Sequence, residues 1–223
     1  MVLQRPHAQV FYRKVNMENT FRHAKTYRYE TLNSENNPTS VIYALHGYGQ
    51  LAKYFIQKLK FINKNILVVA PEGMHRFYLK GASGRVGASW MTKEAREIDI
   101  SDNIDWLNAL DKEISTSYGI KHRYLLGFSQ GGATAVRWKM NAVNPFHRMI
   151  IWASDFPPDM EPKISQLEGE STNHFVIGSE DEFYSEEDQN RIISFYKSVD
   201  FKISTYLGPH DIDTTILNAI INQ

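Results

Sequence analysis

The chain has 223 residues, its 25 Lys and Arg balance 25 Asp and Glu, and it has no cysteine. A net charge near zero leaves no electrostatic footprint for nucleic acid or an anionic membrane surface, so neither partner is expected. Without thiols there are no disulfides, thiolate nucleophiles, iron–sulfur clusters or cysteine-type zinc sites.

The length suits one domain over residues 1–223. The opening MVLQRPHAQVFYRK lacks an apolar leader, and no apolar run approaches the ~18 residues of a membrane span. A cytoplasmic protein with no membrane span is expected, and the oligomeric state stays open.

Residues 7–32 alternate aromatic or branched residues with polar ones (Val10, Tyr12; Tyr27, Tyr29, Thr31), which predicts an antiparallel strand pair. The turn-rich run Asn33–Pro38 closes it. Short apolar runs then alternate with longer stretches of helical period. The runs are Val41–Leu45, Ile66–Ala70, Arg123–Gly127, Met149–Ala153, His174–Ile177 and Lys202–Tyr206. Continuous apolar runs belong to strands buried on both faces, as in parallel sheets. The helices are predicted near residues 50–63, 98–118, 130–141, 185–198 and 211–222. The alternation predicts a mostly parallel α/β sheet with helices on both faces. Residues 71–97 and 154–173 read as two long connections leaving strand C-terminal ends, the edge where open α/β sheets bind ligands. The second is too short for an inserted cap domain.

The strongest chemical signal is Gly127-Phe128-Ser129-Gln130-Gly131, a G-x-S-x-G string between a predicted strand and a predicted helix. A serine on that turn is a candidate nucleophile, and the flanking glycines remove the Cβ clashes of so tight a bend. A serine hydroxyl needs a base, and the base an orienting acid. Of eight histidines, His210 follows the last apolar run, Ile203–Leu207, and precedes the final helix, so its loop can reach the same sheet edge as Ser129. The acid is Asp181, in Gly178-Ser179-Glu180-Asp181-Glu182, with Asp155 as competitor and Glu180 and Glu182 as neighbours. Two backbone N–H groups complete such a site as an oxyanion hole: that of Gln130, after the serine, and that of Tyr48, in the loop Leu45-His46-Gly47-Tyr48-Gly49. His46 reads as a structural hydrogen-bonder.

The same loop carries a rival pattern. Gly47-Tyr48-Gly49-Gln50-Leu51-Ala52 fits G-x-G-x-x-A, and Glu72 stands twenty residues beyond Ala52, as in a dinucleotide-binding fingerprint. That reading leaves Ser129, Asp181 and His210 unexplained. No motif with metal-ligand spacing is present in the sequence, so no metal is expected.

Leu45-His46-Gly47, the serine string, Gly178-Ser179-Glu180-Asp181 and Gly208-Pro209-His210, in the order Ser, Asp, His, resemble the α/β-hydrolase superfamily. Over about residues 40–223 the chain is similar to its compact carboxylesterase/phospholipase group, which includes acyl-protein thioesterases. The resemblance implies a serine esterase that hydrolyses a carboxylic ester or thioester of a small-molecule substrate without a cofactor. A non-catalytic binder and an acyltransferase with the same triad are the alternatives. Trp90, Met91 and Phe77 in the first long connection are candidate substrate-binding residues, alongside Met74, Tyr78 and Phe156. Arg76 and Arg85 there could select an anionic group.

Overall fold

The computed structural model of the protein describes residues 18–167 and 173–223. A seven-stranded sheet forms the centre. In chain order its strands are β1 (Tyr29–Leu32), β2 (Ser40–Leu45), β3 (Ile66–Pro71), β6 (His122–Phe128), β7 (Arg148–Trp152), β8 (His174–Gly178) and β9 (Lys202–Tyr206). They lie side by side as β1-β3-β2-β6-β7-β8-β9, all parallel except β1, which runs antiparallel to β3. The helices are α1 (Ala52–Phe55), continued by a 3-10 turn over Ile56–Leu59, α2 (Arg96–Tyr118), α3 (Gln130–Lys139), α4 (Glu186–Ser198) and α5 (Thr214–Ile221).

The local chemistry accounts for these boundaries. The Ser185 side chain caps α4 by accepting from the Asp188 N–H, and Asp213 caps α5 through the Ile216 N–H. Three acidic residues in the first turn of α4 and Lys197 in its last complement the helix dipole. Gly119 ends α2 at φ 64°, the left-handed conformation that stops helices. Val41–Leu45, Leu67–Ala70, Leu125–Leu126 and Met149–Trp152 are shut off from solvent, so the middle strands are buried on both faces and form the core.

Two expectations need correction. Residues 71–97 are not a plain connection, since β4 (His75–Tyr78) and β5 (Val86–Ser89) pair there as a separate antiparallel hairpin. Residues 154–173 hold a 3-10 helix over Pro158–Gln166. At the N-terminus, the antiparallel strand β1 takes β3 as its partner, and Val10 and Tyr12 lie outside the described residues. Among the described residues no helix is long and apolar enough to cross a membrane.

The strand order positions the site. From β2 the chain moves one way to β3, then returns past β2 to β6, β7, β8 and β9. With right-handed crossovers, α1 falls on one face and the helices after β3, β6 and β8 on the other. The loops leaving β2 and β6 therefore diverge, opening a crevice at their C-terminal ends, the switch point of a doubly wound sheet.

Candidate active site

Ser129 sits in that crevice, between the last residue of β6 and the first of α3, at φ 52° and ψ −124°. This is costly backbone for a residue with a Cβ, and such strain persists only where the surroundings over-determine it. Here the turn is held by Ser129 N–H donating to Trp152 O at 2.8 Å and Gly132 N–H donating to Ser129 O at 2.7 Å. A Cβ on Gly127 would lie 2.6 Å from Gly131 O, and one on Gly131 would run into the Leu45 carbonyl. The bend therefore closes only with glycine on both sides of the serine.

The ends of β8 and β9 deliver the other two residues. His210 Nδ1 lies 2.6 Å from Asp181 Oδ2, and the Asp181 side chain is wholly buried. Its Oδ1 accepts from the Phe183 N–H at 3.0 Å, so both carboxylate oxygens are used and the group is held in one orientation. A carboxylate on Nδ1 fixes the ring tautomer and leaves Nε2 as the basic nitrogen. Neither Nε2 nor Ser129 Oγ has a hydrogen-bond partner among the described residues. Bonds of this kind often tighten only when substrate is bound. The ring is braced by Phe128 at 4.9 Å and Phe183 at 4.6 Å between centroids.

The competing acids are otherwise engaged. Asp155 pairs with Arg191 at 3.0 Å, on an exposed surface. Glu180 is exposed, its N–H donating to Gly208 O. Glu182 does contribute in a way the sequence concealed, because its carboxylate accepts the His210 backbone N–H at 3.1 Å. Backbone donors, the His210 N–H among them, pull its pKa below the ordinary glutamate value.

The loop after β2 lies against the serine, since a Cβ on Gly47 would stand 3.2 Å from Ser129 Cβ. Tyr48 follows Gly47 and is 60% exposed. As the first residue of α3, Gln130 has a backbone N–H with no intrahelical partner. The side chain of Gln130 ties down the hairpin: Oε1 accepts from the Trp90 N–H at 3.1 Å, and Nε2 donates to Met91 O at 2.8 Å. Nothing in the serine string itself signalled that clamp. His46 is fully buried, with Nε2 accepting from the Gly73 N–H at 2.9 Å and Nδ1 2.8 Å from Gly47 O. Burial lowers its pKa and keeps the ring neutral.

The expected substrate-binding residues separate. Trp90 is 0% exposed, donates from Nε1 to His46 O at 2.8 Å and stacks on Trp106, so it supports the site from beneath rather than lining it. An indole on a connection satisfies its N–H and buries its area at once, and here both needs are met in the core. Met91 stays partly exposed. Phe77 is partly exposed too, its ring 5.1 Å from that of Tyr48 at the rim. The dinucleotide pattern is also used otherwise. Gly49 N–H donates to Ala88 O, Gln50 O accepts from Ala88 N–H, and α1 is a single turn. Glu72 is buried against Arg76 at 3.1 Å and Arg28 at 3.7 Å. Among the described residues no group of three or more His, Asp or Glu could hold a metal ion.

The family model described as Phospholipase/Carboxylesterase matches residues 28–222. The chain belongs to that family. It is an α/β-hydrolase and an ester hydrolase. Among solved structures it resembles a carboxylesterase from Mesorhizobium loti, at 15% identity and TM-score 0.68, over 88% of this chain and 94% of that one. It also resembles Zea mays acyl-protein thioesterase 2, at 16% identity and TM-score 0.64, over 87% of this chain and 99% of the other. Esterase PE8 matches at 17% identity and TM-score 0.61, over 88% and 100% of the respective chains. At these identities the neighbours establish the fold. None of the curated proteins matches the sequence significantly.

Proposed function

We propose that this phospholipase/carboxylesterase family member is a serine hydrolase acting on a carboxylic ester or thioester of small or medium acyl chain. Ser129 Oγ attacks the acyl carbonyl while His210 Nε2 takes its proton, and Asp181 holds the imidazole tautomer and offsets the charge the ring acquires. The N–H groups of Tyr48 and Gln130 donate to the tetrahedral oxyanion. The imidazolium returns its proton to the leaving alcohol or thiol, giving an acyl-Ser129 ester. Water, deprotonated by His210, attacks that ester, and the acid leaves with Ser129 restored. No cofactor is needed.

The observation that supports this reading best is the wholly buried Asp181 carboxylate, 2.6 Å from Nδ1 of a histidine on a neighbouring strand end. Burying a carboxylate is expensive unless its partners repay it, and here one partner is an imidazole whose other nitrogen stays unbonded. A fluorophosphonate probe tests the assignment. Intact enzyme should be labelled on Ser129, and the Ser129→Ala variant should not. Equal labelling of the two would overturn it.

A further inference from the structure

A cleft of about 680 Å³ lies between α1 and the β4–β5 hairpin, lined in part by Gln50, Leu51, Lys53, Phe55, Lys58 and Arg85. Neither Ser129 nor His210 lines it, but its lining connects to the proposed reaction centre through neighbouring residues on two sides. Gly49 and Gln50, which line it, directly follow the proposed oxyanion donor Tyr48, and Gly47 before them packs on Ser129. At the other side Phe55 packs on Phe128, which packs on His210, and Lys58 holds Asp211, the residue after His210.

Its charge is one-sided. Among the described residues that line the cleft, none is acidic and three are cations. Lys58 is spoken for, with Nζ 2.5 and 2.7 Å from the two Asp211 carboxylate oxygens. Lys53 and Arg85 are not, for neither has an ion-pair partner among the described residues. Lys53 lies over the Tyr54 ring at 4.7 Å, and Arg85 lines the same cleft from the hairpin segment, 32 residues along the chain. Arg76, the other sequence candidate for an anion, is neutralised by Glu72. The floor is apolar, made by the buried Leu51 and Phe55. Lys53 and Arg85 are both exposed, come from separate segments and line one apolar-floored cleft, where neither is neutralised by an acid, and that combination suits a charged headgroup.

We propose that this cleft is an anion subsite, where Lys53 and Arg85 hold a carboxylate or phosphate carried on the unreacting end of the ester. The proposal rests on the serine-hydrolase reading and gives that reaction a substrate class, an anionic ester. Arg85 supplies a fork suited to two oxygens, and Lys53 a mobile point charge.

Paired substrates test it. On the acyl side, 4-nitrophenyl esters of straight-chain acids are set against chain-matched esters that end in a carboxylate. On the alcohol side, hexanoyl esters of phenol, 4-hydroxybenzoate and 4-hydroxyphenyl phosphate place a neutral, a carboxylate or a phosphate end. One anionic series should exceed its neutral twin about tenfold in kcat/KM, mostly through KM, and the advantage should shrink at high salt. Which series it is identifies the end and the anion. In Lys53→Gln/Arg85→Gln enzyme the ratio between twins should fall to about one. Equal twins in wild type, or a ratio the double variant leaves intact, would overturn the subsite.

The same ratio is read as Kd on Ser129→Ala enzyme, where nothing turns over. If that variant prefers the anionic twin while fluorophosphonate leaves wild-type Ser129 unlabelled, the subsite stands and the hydrolytic reading falls. Labelling of Ser129 with no anionic preference in either assay sinks the subsite alone.

Discussion

Two buried carboxylates, Asp111 and Asp181, are served in opposite ways. Asp111, on α2, accepts from Tyr43 OH at 2.9 Å, Ser115 Oγ at 3.1 Å, Arg123 Nε at 3.0 Å and Asn144 Nδ2 at 2.6 Å. Four donors converge on it, three on Oδ1 and one on Oδ2, and the phenol of Tyr43 is driven far above its ordinary pKa by burial and by the carboxylate. Asp181 accepts from one backbone N–H and one imidazole, and the remaining nitrogen of that imidazole has no hydrogen-bond partner among the described residues. A saturated carboxylate can only hold elements together. One whose partner keeps an open valence can pass on its orientation to chemistry. The first is a tether between α2 and the sheet, and we read the second as part of a reaction centre.

The contrast breaks first at Ser129. If the Asp181 end is reactive, Ser129→Ala should lower ester hydrolysis by about 10⁴-fold or more, with the melting temperature held or raised by release of the strained turn. Steady-state hydrolysis beside a thermal melt checks both halves. Residual turnover near wild type would remove Ser129 from the chemistry.

Asp181→Asn keeps the shape but loses the tautomer control, and kcat should fall by about 10⁴ in a folded protein. Asp155→Asn gives up only an exposed ion pair with Arg191, and should change kcat less than threefold. Reversed results in kcat measurements on the two folded variants would move the acid to the strand before it.

Asp111→Ala should do the opposite of Asp181→Asn. It strands the Arg123 guanidinium and the Tyr43 hydroxyl, so urea denaturation should show a loss of about 3–5 kcal/mol. Well below the unfolding midpoint, kcat per folded molecule should stay at the wild-type value. A fall in kcat with stability unchanged would erase the distinction between the two ends.

How far these features could be read from residues alone depends on the range of the interaction that makes them. The Ser129 bend is local: strand, helix and both glycines lie within a few residues, so the string carried its own context. The six apolar runs likewise became strands: the five before β9 are largely buried on both faces, which leaves no alternation to misread, while β9 is a half-exposed edge strand. The β4–β5 hairpin was hidden. Val86-Gly87-Ala88-Ser89 has poor strand propensity, and it pairs because Gly87 lets the hairpin touch Gly49, where a Cβ would come 2.7 Å from its Cα. Trp90 was misplaced for a related reason, since an apolar residue on a connection can face a ligand or the core, and spacing does not distinguish them. Asp155 and Asp181 both leave strand ends. Only the partners that folding brings up, Arg191 for one and His210 for the other, tell them apart. Lys58 and Asp211 are 153 positions apart, a contact no local pattern encodes.

The smallest effect concerns His174, at the start of β8, a buried ionisable group served by neither pattern. It is 2% exposed, and neither ring nitrogen has a hydrogen-bond partner among the described residues. Burial first, then the nearby Arg148 and Lys202 cations, pull its pKa from 6.5 to about 4. The folded protein therefore keeps this ring neutral where the unfolded chain would protonate it. Protons bound only by the unfolded state make stability rise with pH, so the titration of His174 costs little above pH 6.5. As pH falls from 6.5 towards 4 the unfolded state gains ground, and below 4 the penalty levels off. Solvent screening of the two cations trims the full linkage value, which leaves an expected loss of roughly 1–3 kcal/mol. His174→Leu keeps similar bulk and has nothing to titrate, so it should match or exceed wild-type stability at pH 7 and lose less on acidification. Urea denaturation of both proteins between pH 7 and 4 isolates the difference, because every other carboxylate and histidine is common to the two. Parallel pH profiles would mean that the ring finds a proton acceptor in the folded state, and that His174 is paired after all.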